Sequence, residues 1–480
     1  QAAQGTTPPV VPVAKGAEQR DWMHWGNTTA GTRFAALDQI TPANVKELQV
    51  AWTARTGDVP ESNGFGAEDQ NTPLQIGDTL YLCTPHNQVI AVDADSGKQR
   101  WAFDPKATAP NWQRCRGLGY FDATTAPAAA TTAAPAPAPV PATDVASTGP
   151  ALCGKRILMT SIDARLFALD ANTGALCPDF GSNGVVDLKV GMGEIKPGFY
   201  TLTAAPLVAG ELIVVGGRVA DNIEVGEPSG VVRAYNVRTG ALVWIWDLSK
   251  ETPDVPLDPS IHYTRATPNV WTSMAYDPQL GLVYLPTGNT TPDQWAGERT
   301  PQDDKYSSAV VALDVATGKE RWVYQTVHHD LWDYDLPAQP TLIDVPDGKG
   351  GTLPALLQVT KAGQIFMLNR QTGVPISEVR DIPAPQGNAE GERYAATQPL
   401  SVGLPQIGAQ TLTESDMWGA TPIDQMLCRI QFKQFRYDGM YTPPGEDLAL
   451  QWPGSLGGMN WGSASVDPTT GYLFVNDMRL

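Results

Sequence analysis

Short apolar runs alternate with polar turns along most of this chain, and five stretches repeat one pattern. They are VIAVDADSGKQRW ending at Trp101, LFALDANTGALCP ending at Pro178, RAYNVRTGALVW ending at Trp244, VALDVATGKERW ending at Trp322 and FMLNRQTGVPIS ending at Ser377. In each, Asp or Asn closes the first apolar run and Ser/Thr-Gly precedes the second. An Asp or Asn side chain closes an Asx-turn and glycine supplies positive φ, so the unit reads as a β-hairpin. In three of the five a Trp stands four residues after the Gly, a position suited to packing between units rather than to ligand contact. Diverged copies occur at Met274-Ala275-Tyr276-Asp277 with Gly281 and at Val466-Asp467 with Gly471. Hairpins that each bury a face against the next unit predict an all-β protein, a β-propeller with sheets set radially around a channel. Helical signals are confined to short pieces such as Thr41-Pro42-Ala43-Asn44-Val45, where Thr41 can cap a turn.

Composition reinforces the turns and strands: 480 residues contain 46 Gly, 41 Pro and 14 Trp. A formal charge of -18 excludes nucleic acid and anionic lipid as partners of this surface and leaves a small molecule. No apolar stretch reaches the ~18 to 20 residues of a membrane span. Residues 1–20 read as a Pro-rich tether that an anchor or leader can precede, and residues 21–480 as the propeller domain. Within it, residues 123–143 are a low-complexity Ala/Pro/Thr loop that can bury little. Cys83, Cys115, Cys153, Cys177 and Cys428 show neither zinc nor haem spacing; a disulfide or two is compatible with them, and the pairing stays open. The last residues follow a strand-like YLFV, which leads us to expect a propeller incomplete at its C-terminal end, with an unpaired edge.

The densest chemistry lies in His328-His329-Asp330-Leu331-Trp332-Asp333-Tyr334-Asp335, three carboxylates and two imidazoles in eight residues. Taken alone it is either an exposed charged turn or an acid/base site.

Together the repeats, the HHDLWDYDLPAQP stretch and the segment DMWGATPIDQMLCRIQFKQFRYDG (416–439) resemble the membrane-bound quinoprotein dehydrogenases of the glucose/quinate/shikimate group, from about Asp21 onward. The resemblance implies a periplasmic, eight-bladed propeller holding pyrroloquinoline quinone (PQQ) with a divalent cation, Ca²⁺ or Mg²⁺. It also implies an N-terminal helical anchor in the inner membrane and ubiquinone as electron acceptor. That anchor and the final blades lie outside this sequence, so it is expected to be a fragment or processed piece.

By the same resemblance Asp333 is the general base, taking the substrate hydroxyl proton as hydride passes to the quinone. Lys361, in VTKAG, contacts the quinone oxygens, where a cation stabilises developing charge. Asp221, Asn222, Asn289 and Thr291 are the metal contacts, all hard oxygen donors. Trp271 is the indole on which the planar cofactor lies, and Arg116 meets one of its carboxylates. Thr203 and Asn476 contact other polar groups of the cofactor, while Asp330 and Asp335 orient neighbouring backbone or imidazoles. Phe121 takes a position that is His in glucose-oxidising members; it stacks on the cofactor and offers no hydrogen bond to a sugar, which favours quinate or shikimate. The soluble alcohol dehydrogenases carry a disulfide between adjacent cysteines, and this chain has no adjacent pair. Two alternatives remain: a soluble-type quinoprotein alcohol dehydrogenase, and a non-enzymatic propeller scaffold sharing the D-x-x-T-G hairpins.

Overall fold

The computed structural model describes residues 21–59, 66–124, 153–253, 257–258, 260–408 and 411–478. The tether, 1–20, and all but Ala123 and Thr124 of the loop at 123–143 lie outside the described residues.

Antiparallel sheets follow one another in chain order. Sheet 1 is formed by Leu74–Ile76, Thr79–Cys83, Val89–Asp93 and Gln99–Phe103, and sheet 2 by Gly119–Asp122, Lys155–Thr160, Arg165–Asp170 and Val185–Asp187. Sheet 3 comprises Leu207–Ala209, Leu212–Val215, Val232–Asn236 and Leu242–Trp246, and sheet 4 Ala275–Asp277, Leu282–Pro286, Ala309–Asp314 and Glu320–Gln325. Sheet 5 has the three strands Thr341–Pro346, Thr352–Val359 and Ile365–Asn369. Three two-stranded pairs complete the described set: Tyr200–Thr201 with Arg218–Val219, Val379–Pro383 with Thr397–Ser401, and Ala464–Asp467 with Tyr472–Val475.

Period-2 side-chain alternation explains how these sheets stack. In sheet 4, Val311 and Leu313 join Val214, Ala234 and Trp244 of sheet 3, whereas Val310 and Ala312 join Leu356, Phe366 and Leu368 of sheet 5. Sheets 1 and 2 share a core around Tyr81, Ile157 and Phe167, and sheets 2 and 3 one around Leu158, Ile213 and Tyr235. Both faces of each inner sheet are therefore buried against neighbours, as a radial array requires.

The repeated turns form as their chemistry predicts. Asp93 Oδ1 accepts from Ser96 N at 2.8 Å, Asn236 Oδ1 from Thr239 N at 3.0 Å and Asp314 Oδ1 from Thr317 N at 3.1 Å. The glycine that ends each turn has φ of +68° to +76°. Each recurrent Trp docks on the turn of the next sheet. Trp101 Nε1 donates to Ala171 O at 3.0 Å, Trp244 Nε1 to Val315 O at 2.8 Å and Trp322 Nε1 to Arg370 O at 3.2 Å. A Cβ on Gly318 would stand 2.6 Å from the Trp244 ring and one on Gly373 2.7 Å from Trp322, so these glycines also make room for the indoles. Trp244→Ala should cost about 3–5 kcal/mol, read as a lower urea midpoint, and Gly318→Ala should be destabilised in the same direction.

Two of the five repeats depart from simple hairpins. After Asp170 the chain makes only a bridge between Leu169 and Leu176 before the fourth strand, and after Asn369 only one between Leu368 and Pro375. Pro375 has no N–H to extend a ladder, and Cys177 is held by its disulfide to Cys153. The second disulfide joins Cys83 to Cys115, and Cys428 is free. Helical structure exceeds the expectation of short pieces: besides α1, Pro301–Tyr306, there is α2, Pro422–Gln434, opened by a capping box between Thr421 and Asp424. Among the described residues no helix is long and apolar enough to cross a membrane.

Candidate active site

The loop between sheets 4 and 5 is built around Asp330, which is wholly buried. Its carboxylate accepts from the backbone N–H groups of Trp332 and Tyr334, each at 2.8 Å, and from Ser308 Oγ. Its carbonyl takes Arg299 Nη1 at 2.7 Å and Asn289 Nδ2 at 3.2 Å. This clamp folds the chain tightly enough that Asp333 sits at φ +58°, a conformation a non-glycine residue holds only when its surroundings fix it.

Held there, Asp333 meets Lys361, which comes from the turn after strand Thr352–Val359. Lys361 Nζ donates to Asp333 Oδ1 and to the Asp333 carbonyl, both at 2.9 Å, and lies 3.7 Å from Asp335 Oδ2. Asp335 in turn accepts Trp271 Nε1 at 3.0 Å and the Asn289 N–H, which fixes the Trp271 indole. The chain closes over Lys361 at Gly457, where a Cβ would come 2.5 Å from Lys361 Cα. Burial, then the neighbouring Asp335, pushes the Asp333 carboxyl up to about 8, with Lys361 opposing. Burial works against the Lys361 ammonium, but Asp335 and Asp333 outweigh it and hold its pKa above the usual lysine value.

A tryptophan ladder adjoins this pair. Trp271 and Trp461 have ring centroids 5.3 Å apart at 69°, and Trp461 and Trp25 6.0 Å apart at 82°. Arg116 lies over Trp461 with Cζ 3.6 Å from the centroid, and its Nη1 donates to the Thr203 carbonyl at 3.4 Å. Burial, reinforced by Arg114, lowers the Arg116 guanidinium to about 9, with Glu68 opposing. Among the described residues Arg116 has no carboxylate within ion-pair distance.

Oxygen donors gather around Asn289, whose N–H is held by Asp335. Asn222 Nδ2 donates to Asp293 Oδ2 at 2.7 Å, Asn289 Nδ2 to the Asp293 carbonyl at 3.0 Å, and Thr291 Oγ1 to Glu227 Oε2 at 3.1 Å. Asp221 keeps solvent access in its recess; burial by the surrounding protein pushes its carboxyl up, and Arg218 opposes. Burial, then Asp335 and Asp333, pushes Asp293 up to about 9. Among the described residues no carboxylate trio brings its oxygens within 4.8 Å; the one His/Cys/Asp/Glu group at that spacing contains the disulfide-bonded Cys153 and Cys177.

The structure thus brings together Asp333, Lys361, Trp271, Arg116, Thr203, Asp221, Asn222, Asn289 and Thr291. Asn476 is exposed but adjoins Gly462, one residue from Trp461. Phe121 does not belong with them. It is buried between sheets 2 and 3 with Leu158 and Val208, and Arg238 Cζ lies 5.0 Å from its ring centroid. Alternation along Gly119–Asp122 turns it into that core, which removes the argument it offered against glucose. Phe121→His should bury an imidazole among apolar groups beside a cation, at a cost of about 1–3 kcal/mol, seen as a lower thermal midpoint. Asp335 orients an indole and a backbone amide rather than an imidazole. Sequence reasoning missed Asp293, Glu227 and Trp461; the run Gly457-Gly458-Met459-Asn460-Trp461, a Trp outside the hairpin pattern, is the signal that could have found the last.

A buried guanidinium without a carboxylate partner among the described residues, set on the face of Trp461, suits an anionic group, and Lys361 near Trp271 adds a second cation to the same ladder. The surplus of carboxylate, amide and hydroxyl oxygens suits a hard divalent cation. Fold and site define a β-propeller domain with a charged, tryptophan-lined centre. The chain belongs to the PQQ family whose model is described as the glucose/ethanol/alcohol dehydrogenase β-propeller domain, matched over residues 22–480. It is 51% identical over 480 residues to a protein of Acinetobacter baylyi named quinate/shikimate dehydrogenase (quinone), covering 100% of this chain and 58% of that protein. To the quinoprotein glucose dehydrogenase of Escherichia coli it is 42% identical over 465 residues, covering 96% of this chain and 56% of the relative. The chain therefore spans less than two thirds of the length of these relatives. The structure of quinohemoprotein alcohol dehydrogenase from Comamonas testosteroni superposes with a TM-score of 0.62 at 24% identity, over 96% of this chain and 58% of that one, a likeness of fold.

Proposed function

We propose that this domain is the catalytic part of a PQQ-dependent dehydrogenase that oxidises a hydroxyl of a cyclic polyol or hydroxy acid, quinate or shikimate foremost, with electrons passing to ubiquinone. The observation that carries the reading is the Asp333–Lys361 pair, 2.9 Å apart and beside Trp271, in a chain of the PQQ family. PQQ supplies the two-electron acceptor when bound. Asp333 removes the hydroxyl proton. Lys361 holds Asp333 by carboxylate and carbonyl and places a positive charge where anionic oxygens would be stabilised. Trp271 and Trp461 offer flat apolar surface, Asp335 keeps the Trp271 ring in place, and Arg116, which donates to the Thr203 carbonyl, forms an anion-binding end.

Asp221, Asn222, Asn289 and Thr291 would hold Ca²⁺ or Mg²⁺, joined by Glu227, which is buried without an ion-pair partner among the described residues. Placement in the periplasm, with tethering to the inner membrane through a segment outside this sequence, accords with a quinone acceptor. Quinate is put ahead of glucose by the 51% identity to the quinate/shikimate enzyme against 42% to the glucose enzyme. Dye reduction by the chain reconstituted with PQQ and Ca²⁺ or Mg²⁺, assayed against quinate, shikimate, glucose and glycerol, tests this. Turnover led by quinate or shikimate is expected; no turnover with PQQ bound would leave the scaffold reading standing.

A further inference from the structure

A second group of cations flanks the tryptophan ladder on the Arg116 side. Arg114 is buried, with its guanidinium 4.9 Å from the Trp112 centroid. Its Nε and Nη2 are buried with no hydrogen-bond partner. Arg218, from the short strand Arg218–Val219, approaches the same ring at 5.9 Å. It leads directly into Asp221-Asn222, and Gly216, two residues before it, lies against Val270, the neighbour of Trp271. Among the described residues the only ion pair made by Arg114, Arg116 or Arg218 is that of Arg114 Nη1 with Glu68 Oε2 at 3.3 Å, and that oxygen also accepts from Gln70 at 2.7 Å. Glu68 acts on Arg114 and Arg116, and Asp221 on Arg218; three arginines against these two carboxylates leave a local surplus of positive charge in a chain whose net charge is -18.

Such a surplus is costly unless something answers it. Buried guanidinium N–H groups without acceptors lose their hydration and gain nothing in return, and like charges repel. Burial, with Arg218 adding to it and Glu68 opposing, lowers the Arg114 pKa. Two guanidinium groups close to one indole suit the two oxygens of a carboxylate, with the ring as an apolar wall.

We infer that Arg114 and Arg218, both close to the Trp112 ring, form a second carboxylate-binding point beside the Arg116 contact. Resting on the dehydrogenase reading above, this point takes either a carboxylate of PQQ or the carboxylate of a hydroxy-acid substrate. Arg116 is already engaged by Trp461 and the Thr203 carbonyl, whereas among the described residues nothing satisfies Nε and Nη2 of Arg114.

The test uses the full chain with Arg114→Gln and Arg218→Gln, and Arg321→Gln, an exposed arginine on strand Glu320–Gln325 of sheet 4, as the charge control. PQQ affinity is measured on the apoprotein by quenching of tryptophan fluorescence, and kcat/KM is measured for quinate and for glycerol with saturating PQQ. A rise of about tenfold in the PQQ Kd of both variants places the cofactor's carboxylate there. An unchanged Kd with an about tenfold fall in the quinate-to-glycerol ratio of kcat/KM places the substrate's carboxylate there. If both quantities stay within twofold of the Arg321→Gln values in variants of normal thermal midpoint, the assignment is overturned. A parent chain that neither binds PQQ nor reduces dye with any substrate would instead sink the dehydrogenase reading, and this inference with it.

Discussion

Asp333→Asn should lower turnover by at least the ~100-fold that loss of a general base costs, while PQQ still binds with an affinity near that of the parent. The amide is nearly isosteric and its oxygen can still accept from Lys361 Nζ, now 2.9 Å from Asp333 Oδ1. Asp335, 3.7 Å from the same ammonium, keeps Lys361 charged. What is lost is the capacity to take a proton. The direction of the parent's pH dependence follows from the same environment: with the Asp333 carboxyl pushed up to about 8 by burial and Asp335, the basic form is scarce at low pH and grows as pH rises. The parent's kcat/KM should therefore climb with pH along an acid limb, and the Asn variant should lack that limb. A bound divalent cation would move the limb to lower pH without removing it. Near-parental turnover by a PQQ-loaded Asp333→Asn protein would take this carboxylate out of the reaction.

How far the sequence discloses this site depends on what kind of contact each residue makes. The D-x-x-T-G turns were legible because their chemistry is local: an Asx acceptor, two N–H donors and a positive-φ glycine lie within five residues, and Asp314 to Gly318 folds that way. Trp244 and Trp322 were legible as packing residues for the same reason, since their spacing from glycine repeats. The α2 helix is legible too, in the Thr421-Pro422-Ile423-Asp424 capping signal. Asp333, Lys361 and Trp271 stand in motifs that resemblance reaches. Glu227, Asp293 and Trp461 acquire meaning only from neighbours far along the chain, such as Thr291 for Glu227 and Trp271 for Trp461. Phe121 failed in the opposite sense. The resemblance implied a place at the cofactor, but entry into a strand at Gly119 turns its ring into the core between two sheets.

The carboxylates around Lys361 lead to the second large effect. Asp293 feels burial first and then Asp335, Asp333, Asp221 and Asp330, so in the cation-free protein it holds its proton up to about pH 9. An unfolded chain gives up such protons in the ordinary carboxylate range, near ~4. Between these values the folded state binds more protons than the unfolded one, and the stability of the cation-free protein should fall as pH rises through this window. Ca²⁺ or Mg²⁺ must displace the same protons to reach the oxygens. Apparent cation affinity should then rise with pH from about 6 toward 9, by about tenfold per unit for each proton released, and added cation should reverse the alkaline loss of stability. Asp293→Asn removes a carboxyl pushed up to about 9, so its thermal midpoint should depend less on pH and its cation affinity should rise less steeply. Glu227→Gln, which takes a charge from the buried group beside Thr291, should raise the cation concentration needed for half-maximal reconstitution at least about tenfold. Titrations of Ca²⁺ and Mg²⁺ at pH 6, 7 and 8, followed by thermal midpoint as well as by dye reduction, separate the two variants. A cation affinity indifferent to pH, together with an unchanged requirement in Glu227→Gln, would mean that these carboxylates serve the fold and that the cation, if one is needed, binds elsewhere.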